Sequence, residues 1–268
     1  MFFGVPTMYT RLISEAEKRL ASGDRRPASL RLYVSGSAPL SVQTFEEFER
    51  LFGQRLLERY GMSETIMNLT NPYAGERRPG TVGMPFPEQA ARIVDVRTRA
   101  PITTEEPGEI QVRGPHVFKG YWQRDEATAE AFDADGWFNT GDLGSRSADG
   151  YFTISGRARE LIITGGYNVY PREVEEVLET HPAVAEAAVL GLPDPEFGEQ
   201  VTAAVVLRDS GSLEGDALLA ELTAHCRDQL ASYKKPRRVF VVESLPRNAL
   251  GKVQKHVLRE QLEQKVGL

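Results

Sequence analysis

The first quarter of the chain alternates between helix-like and strand-like patterns of apolar residues. Residues 9–21 and 41–52 repeat their apolar positions at helical spacing. The runs LRLYVSG (30–36) and QRLLERYG (54–61) have the length and apolar content of buried strands. Strands that alternate with helices predict a parallel sheet, so this segment is expected to be α/β.

From about residue 79 the pattern changes to short runs in which apolar and polar residues alternate. EIQVRG (109–114) and YFTISGR (151–157) are typical of strands, and Gly, Pro and Asp interrupt the chain between such runs. We expect a small antiparallel sheet or barrel in this part of the chain.

A third pattern begins near residue 159. Pro171 stands where a helix can start, and REVEEVLETHP follows it. The strand-like runs AVAEAAVLGL and QVTAAVVL and a helix at about 214–229 complete a compact α+β unit. The predicted domains are 1–158, with an α/β segment over about 1–78 and a β subdomain over about 79–158, and 159–268.

Composition excludes several kinds of partner. The formal net charge of -6, from 38 acidic and 32 basic residues, would repel nucleic-acid phosphates unless the lysines and arginines were gathered on one face. A single cysteine, Cys226, excludes an internal disulfide. No apolar run approaches the ~18 residues of a membrane span, and MFFGVPTMY lacks the features of a signal peptide. We therefore expect a cytoplasmic protein with no nucleic-acid or membrane partner.

Two loops follow the predicted strands of the α/β segment, where open α/β sheets bind ligands. SGSAPLS (35–41) is small enough for the backbone to approach a flat ring, or it is an ordinary strand-to-helix turn capped by Ser41. YGMSET (60–65) places the Ser63 hydroxyl beside the Glu64 carboxylate, which suit a phosphate and Mg²⁺ respectively. A helix N-cap with an acidic first turn explains the second loop equally well.

Two further motifs follow in the β subdomain and at its end. GWFNTGDLG (136–144) places Asp142 in a glycine-flanked turn, where its carboxylate can hold ribose hydroxyls. The alternative is an ordinary turn without a ligand, because Asp and Gly are common in turns. GRARELIITGGYN (156–168) adds Arg157 and the pair Gly165 and Gly166, where the backbone can pass close to a ligand. A plain hairpin is the alternative for the glycine pair.

The last motif, LPRNALGKVQK (245–255), places Lys252 directly after Gly251. It is not a nucleotide-binding P-loop, because Val253 stands where that motif requires Ser or Thr. Alone, it is most simply a solvated turn.

Taken in order, the five motifs resemble those of the acyl-adenylate-forming superfamily, which includes acyl-CoA synthetases, luciferases and peptide-synthetase adenylation domains. SGSAPL resembles its adenine-binding loop, YGMSET its aromatic-Gly-x-Thr-Glu motif, and GWFNTGDLG its ribose-binding motif. GRARELIITGGYNVYPREVE resembles the hinge and crossover loop, and LPRNALGKVQK the catalytic-lysine segment. The implied fold is α/β plus α+β: the C-terminal part of the large adenylate-forming domain, with a parallel sheet and a small β subdomain, followed by a small mobile α+β domain.

The resemblance also implies an ATP-dependent ligase that forms an acyl-adenylate and then an acyl-CoA thioester, using ATP, Mg²⁺ and coenzyme A. Lys252 would bridge the reacting carboxylate and the α-phosphate, Ser63 would contact a phosphate oxygen, and Glu64 would hold the metal. The implied nucleotide-binding residues are Ser37, Ala38, Pro39, Tyr60, Gly61, Asp142 and Arg157. The implied coenzyme A contacts are Gly165, Gly166 and Tyr167, and Arg159 would be the hinge.

Within the superfamily, stretches such as GVPTMYTRL, RLYVSGSAPL and HVFKGYW most resemble malonyl-CoA synthetases, which implies malonate or methylmalonate as the acid. A second carboxylate requires a cationic partner, and GERRPGTVG supplies Arg77 and Arg78. Ser35 is the third substrate-binding candidate. The alternative is that both arginines are surface residues of a loop.

In the superfamily, a Ser/Thr/Gly-rich phosphate loop and the front half of the large domain precede the segment that resembles FFGVPTMY. The resemblance therefore implies that this chain is the C-terminal half of an enzyme and is inactive alone. Two alternatives remain open: an adenylating enzyme that loads a carrier protein, and a fragment that binds nucleotide without turnover. The sequence indicates no oligomeric state.

Overall fold

The computed structural model describes residues 1–23, 30–208, 215–249 and 251–266. Leu250 and the predicted start of the helix near residue 214 lie outside these ranges. The chain divides into two compact units, Met1–Ile154 and Ser155–Leu268, whereas the sequence placed the boundary at residue 159. None of the helices in the described ranges is both long enough and apolar enough to cross a bilayer.

The first unit begins with a sheet that is parallel at one side and antiparallel at the other. Its strands, in order across the sheet, are β1 (Phe2–Gly4), β2 (Tyr33–Ser35), β3 (Leu57–Tyr60), β4 (Leu69–Thr70) and β5 (Met84–Pro85). The first three strands pair in parallel, and the pairs β3–β4 and β4–β5 are antiparallel. Two helices make the parallel crossovers, α1 (Pro6–Ala21) and α2 (Val42–Phe52). The expected α/β arrangement is confirmed for this segment.

Helix α2 shows how the local sequence sets its own limits. The Ser41 hydroxyl accepts a hydrogen bond from the Thr44 N–H (3.1 Å) and caps the helix, which ends at Gly53 in the left-handed conformation (φ 69°). The helix buries Phe48, whose ring lies 4.9 Å from that of Tyr33 on β2. Burying a side chain of this size contributes roughly 1.5–3 kcal/mol, which fixes α2 against the sheet.

The second sheet of this unit is the small β subdomain. It contains β6 (Ala90–Val94), β7 (Pro101–Ile102), β8 (Gly108–Arg113), β9 (Phe138–Arg146) and β10 (Phe152–Arg157), in the order β10-β9-β8-β6-β7. The unit boundary falls within β10, after Ile154. The pairs β6–β7, β6–β8 and β8–β9 are antiparallel, as the alternating pattern predicted. A short helix, α3 (Asp125–Ala131), precedes β9. Ile110, Phe138 and Phe152 lie in the core of this sheet.

The second unit is a sheet with helices on both faces. Its elements are β11 (Ile162–Thr164), β12 (Tyr167–Val169), α4 (Pro171–Glu179), β13 (Val184–Asp194), β14 (Gly198–Leu207), α5 (Gly215–His225), β15 (Arg238–Val241) and α6 (Lys255–Val266). The strand order is β12-β11-β14-β13, and β15 pairs with β14 in parallel. Successive residues of β13 face opposite cores: Val189 packs with α4 and α5, whereas Leu190 packs with α6. This is the expected α+β architecture.

Candidate functional site

The SGSAPL loop leaves the carboxyl end of β2. Ser35 is fully buried there, and its hydroxyl has no hydrogen-bond partner among the described residues. Ser37 is exposed with a left-handed φ of 70°, a conformation that costs about 1 kcal/mol for a residue with a Cβ. Ala38 is half-buried and Pro39 exposed. The cap by Ser41 is present as the alternative expected, but a buried unpaired hydroxyl and backbone strain are features of ligand-binding loops.

A cleft of about 190 Å³ opens beside this loop. Its lining residues are Phe3, Gly4, Val5, Met8, Val34, Gly36, Ser37 and Arg59. The Arg59 guanidinium lies 5.2 Å from the centre of the Phe3 ring, and its Nε is buried without a hydrogen-bond partner in the described part of the chain. A cation with an unsatisfied N–H at an open cleft is suited to an anionic ligand. No motif in the sequence pointed to Arg59, although this residue directly precedes Tyr60 of YGMSET.

The YGMSET segment is an irregular turn. The Ile66 N–H donates to the Met62 carbonyl (2.7 Å), and no helix follows in this described stretch, so the expectation of a helix N-cap is wrong. Only glycine fits at residue 61, because a Cβ there would lie 2.0 Å from the Ile66 carbonyl oxygen. Ser63 is exposed, and Glu64 is half-buried and accepts a hydrogen bond from the Tyr121 hydroxyl (3.1 Å). Burial first, and Glu64 second, raise the pKa of that Tyr121 hydroxyl.

Glu64 is the candidate ligand for the predicted Mg²⁺. The described residues contain no cluster of three or more His, Cys, Asp or Glu side chains that could hold a metal ion. In nucleotide sites, Mg²⁺ is usually held by one or two carboxylates together with substrate phosphates. Glu64 is a single half-buried carboxylate of this kind, and its role in holding Mg²⁺ stays a prediction.

Asp142 is presented by a bulge in β9. Three residues of this strand, Thr140, Gly141 and Asp142, lie opposite the single residue Ile110 of β8; we call them the Asp142 bulge. The Thr140 hydroxyl donates to the Ile110 carbonyl (2.7 Å) and accepts from the Asp142 N–H (3.1 Å). Gly141 adopts a φ of 68°, which favours glycine. Bulges re-aim side chains next to active sites, and here the side chain is the predicted ribose ligand.

The structure brings two predicted nucleotide-binding residues together. The Tyr60 hydroxyl, at the end of β3, donates a hydrogen bond to Oδ2 of Asp142. The Asp142 side chain is nearly fully buried, whereas Tyr60 is half-buried. An aromatic ring beside an oriented carboxylate offers a stacking surface and a hydroxyl acceptor, the two features that recognise a nucleoside.

The two predicted substrate arginines have other partners. Arg77 donates to the carbonyls of Pro72 (3.3 Å), Arg55 (2.7 Å) and Tyr73 (3.0 Å). These bonds hold the loop that contains Arg77, and they do not distinguish a substrate arginine from the surface loop arginine of the alternative. A substrate role for Arg77 stays a prediction.

Arg78 is held by an ion pair and an aromatic ring. It pairs with Asp149 (2.7 Å) and lies 4.0 Å from the centre of the Tyr151 ring. The Arg78 guanidinium, with a hydrogen bond from Ser147, holds the pKa of the Asp149 carboxyl well below its usual range. Arg78 would have to leave these partners to bind a substrate, so its substrate role also stays a prediction.

In the second unit, Lys252 lies on a tight turn. The Asn248 N–H donates to the Lys252 carbonyl (2.9 Å), and the Lys252 N–H donates to Oδ1 of Asn248 (3.0 Å). Arg247 donates to the Gly251 carbonyl (2.7 Å), and Gly251 has a φ of 79°. The Lys252 side chain is exposed, and its ammonium has no ion-pair partner in the described ranges. The turn thus fixes the backbone and leaves the charge available.

The glycine pair forms the turn of a hairpin. Gly165 and Gly166, with φ values of 55° and 82°, connect β11 and β12 in a two-residue turn. The hairpin alternative is therefore the observed conformation, and it leaves the coenzyme A role of this loop untested. Tyr167, the next residue, is exposed and stacks on the Tyr233 ring at 4.6 Å.

Two predicted arginines lie near the start of the second unit. Arg157 is the last residue of β10, and Arg159 lies in the short 3₁₀ turn Ala158–Glu160 that follows. Because Arg157 and Asp142 belong to different compact units, their joint action on a ribose stays a prediction. The same holds for the hinge role of Arg159.

Comparison with known protein families shows to which family this chain belongs. Residues 1–122 match the family of AMP-binding enzymes, and residues 173–252 match the C-terminal domain of AMP-binding enzymes. The chain belongs to the AMP-binding enzyme family. The predicted resemblance is thereby confirmed.

Several relatives of this AMP-binding chain have informative names. It is 43% identical to a malonate–CoA ligase from Arabidopsis thaliana over 98% of this chain and 44% of that protein. It is 40% identical to a long-chain-fatty-acid–CoA ligase from Bacillus subtilis over 97% of this chain and 45% of that protein. The crystal structure of ATP-bound MatB from Rhodopseudomonas palustris superimposes with a TM-score of 0.88 at 44% identity, over 98% of this chain and 51% of MatB.

These matches confirm the fold class, but they do not by themselves assign the function of this chain. The chain spans about half the length of the relatives that it matches. The relatives include ligases named for malonate and for long-chain fatty acids, so relationship alone does not assign the acid.

Proposed function

We propose that this chain carries nucleotide- and thioester-handling residues of an ATP-dependent acid–CoA ligase. The observation that carries the proposal is the hydrogen bond between Tyr60 and Asp142, which joins two predicted nucleotide residues in a chain of the AMP-binding family. In the proposed reaction, a carboxylate oxygen attacks the α-phosphorus of ATP and pyrophosphate leaves. The thiol of coenzyme A then attacks the acyl carbon, and AMP leaves with the carboxylate oxygen that formed the bond.

The first step must bring two anions together, so neutralisation of charge is its main requirement. The exposed ammonium of Lys252 would lie between the substrate carboxylate and the α-phosphate, and Ser63 would donate to a phosphate oxygen. Glu64 would hold Mg²⁺, which lowers the negative charge of the phosphates when it is bound. Tyr121 would orient the Glu64 carboxylate through their hydrogen bond.

The nucleoside would be bound by backbone, ring and carboxylate groups. Residues 37–39 would face the adenine, Gly61 would let the backbone approach it, and Tyr60 would stack on it. Asp142 would accept hydrogen bonds from the ribose hydroxyls, with Arg157 as the second ribose contact. The bulge supports this assignment, because it directs the Asp142 carboxylate toward Tyr60.

The acid is proposed to be malonate or a similar short dicarboxylate, with its distal carboxylate on Arg59. The cleft is small, and one of its lining residues is Arg59, whose buried Nε has no hydrogen-bond acceptor among the described residues. Ser35, on the neighbouring strand β2, keeps its predicted substrate role, although its buried hydroxyl is not among the groups that line the cleft. Arg77 would have to give up hydrogen bonds and Arg78 an ion pair, whereas Arg59 contacts the Phe3 ring and its Nε has no hydrogen-bond acceptor among the described residues. Pairing an anion with Arg59 therefore has the lower reorganisation cost.

The second step is assigned to the second unit. The hairpin of Gly165 and Gly166 would let the pantetheine chain pass close to the backbone, because no atom of the described residues lies within 4 Å of a Cβ built at Gly166. The stacked rings of Tyr167 and Tyr233 would border that path. Arg159 would serve the change of conformation between the two steps.

Binding of a stable acyl-adenylate tests the proposal directly. We would titrate the 268-residue chain with a malonyl sulfamate of adenosine, a non-hydrolysable analogue, by calorimetry, and titrate Asp142→Ala in parallel. The expected result is saturable binding that the variant weakens by at least about tenfold, since one charge-assisted hydrogen bond is worth roughly 1.5–3 kcal/mol. No binding by the unsubstituted chain, or equal binding by the variant, would contradict the proposal.

A further inference from the structure

Glu109, on β8, is a buried carboxylate to which the proposed chemistry gives no role. The residue is 6% exposed, and it lies beside the Asp142 bulge. An ionised carboxylate is strongly disfavoured in a protein interior unless it is paired and hydrogen-bonded. A buried charge at this position therefore needs an explanation from its contacts.

Both oxygens of Glu109 have partners. Oε1 accepts a hydrogen bond from the backbone N–H of Gly141 (3.1 Å), and Oε2 pairs with Nη1 of Arg99. The other terminal nitrogen of Arg99 donates to Oδ1 of Asn139, which also accepts from Gln111 (2.7 Å). The carboxylate is thus tied to the β9 strand on both sides of Thr140.

The bond to Gly141 meets a need that the bulge creates. Three residues of β9 face one residue of β8, so Gly141 has no ladder position opposite it. Gly141 is half-buried, and a backbone N–H that is shielded from water without an acceptor is destabilising. The Glu109 carboxylate provides the acceptor. Gly141 adopts a left-handed φ of 68°, and with this conformation its N–H donates to Glu109 while the next residue, Asp142, donates its N–H to the Thr140 hydroxyl.

We propose that Glu109 is a positioning residue that holds the Asp142 bulge and thereby sets the affinity of this chain for the ribose hydroxyls of its nucleotide. The inference rests on the proposed function for the identity of the ligand. The support for the bulge itself comes from the contacts of Glu109 alone. Arg99 acts with Glu109 by holding its second oxygen.

The first experiment measures the bulge without any ligand. In the 268-residue chain, hydrogen exchange of the Gly141 amide is compared with that of Val112, in the neighbouring strand, by NMR. Glu109→Ala should accelerate exchange at Gly141 by at least about tenfold, whereas Glu109→Gln, which keeps an acceptor oxygen, should restore most of the protection. Glu105→Ala is the matched control, because Glu105 also accepts a turn amide, that of Ala148 (3.0 Å), away from the bulge.

Exchange at Gly141 that stays within twofold of the unsubstituted chain in Glu109→Ala would overturn the inference. An equal acceleration at Gly141 and Val112 would also overturn it, because it would indicate general loosening of the sheet.

The second experiment measures recognition of the ribose. Calorimetry compares AMP with 2′,3′-dideoxy-AMP, which lacks the hydroxyls that Asp142 would bind. The unsubstituted chain should prefer AMP by about tenfold or more, and Glu109→Ala should lose this preference as Asp142→Ala does, while Glu105→Ala keeps it. A merely structural role for Glu109 would weaken both nucleotides equally, and that result would overturn the inference.

The two failures can be told apart. If the unsubstituted chain binds neither nucleotide, the proposed function fails, and the role of Glu109 in nucleotide affinity fails with it. The exchange of Gly141 then still decides whether Glu109 holds the bulge.

Discussion

Arg59 and Lys252 are the two cations on which the proposed chemistry depends, and each is available for a different reason. Arg59 has a buried Nε without an acceptor in the described residues, so a ligand carboxylate would satisfy an unmet hydrogen bond. Lys252 is exposed on a turn whose backbone is held by Asn248 and Arg247, so its long side chain can extend without disturbing the fold. Arg77 and Arg78, by contrast, are occupied.

Replacement of Arg59 by alanine should remove the preference for dicarboxylates. The distal carboxylate would lose a charged partner in a partly buried site, a loss of roughly 2–5 kcal/mol. We would compare malonyl and butyryl sulfamates of adenosine by calorimetry, and expect Arg59→Ala to weaken the malonyl compound selectively. Arg77→Ala should leave the preference unchanged; the reverse pattern would show that the sequence-based assignment to Arg77 is right and Arg59 is wrong.

Replacement of Lys252 by alanine should affect the two half-reactions unequally. Loss of a preorganised cation at a developing charge costs about 10²- to 10³-fold in rate, so acyl-adenylate formation should fall by that factor in the natural protein. Conversion of supplied malonyl-adenylate and coenzyme A to thioester should change little. Lys265→Ala, which removes another exposed lysine of the second unit, is the control; normal adenylation by Lys252→Ala would return Lys252 to an ordinary solvated turn.

The helices and strands could be predicted where the local sequence determines them. Ser41 and Gly53 delimit α2, Pro171 starts α4, and Gly165 and Gly166 form a two-residue hairpin turn. The YGMSET turn was open to a wrong interpretation as a helix start, because the polar residues of a cap and of a ligand loop are the same. The Asp142 bulge was not predicted, since it depends on pairing with β8, distant in sequence.

An ion pair connects the start of helix α6 to helix α4. Lys255, at its start, pairs with the buried Glu175 of α4 (2.6 Å). Lys255→Ala would leave Glu175 without its nearest cation and should lower the free energy of unfolding of the second unit by about 3 kcal/mol. Urea unfolding of the chain measures this effect, with Lys265→Ala as the control at within ~0.5 kcal/mol. Equal stability of the two variants would show that the pair contributes little.

At the scale of the whole molecule, the predicted roles divide between the two compact units. The first unit contains Tyr60, Glu64 and Asp142, and the second contains Gly165, Gly166 and Lys252. The order of the motifs in the sequence was sufficient to predict the family and fold class. Arg59 could not be recognised in the same way, because the cleft that gives it meaning is formed by Phe3 and Gly36 from other strands and loops.

The central claim is that the natural protein joins a carboxylate to the α-phosphate of ATP. The most direct test supplies malonate labelled with ¹⁸O in its carboxylates, together with ATP and coenzyme A, and analyses the products by mass spectrometry. Attack on the α-phosphorus followed by thiolysis at the acyl carbon predicts one ¹⁸O atom in AMP, unlabelled pyrophosphate and a malonyl thioester. Formation of ADP, or a thioester with no label in AMP, would contradict the account.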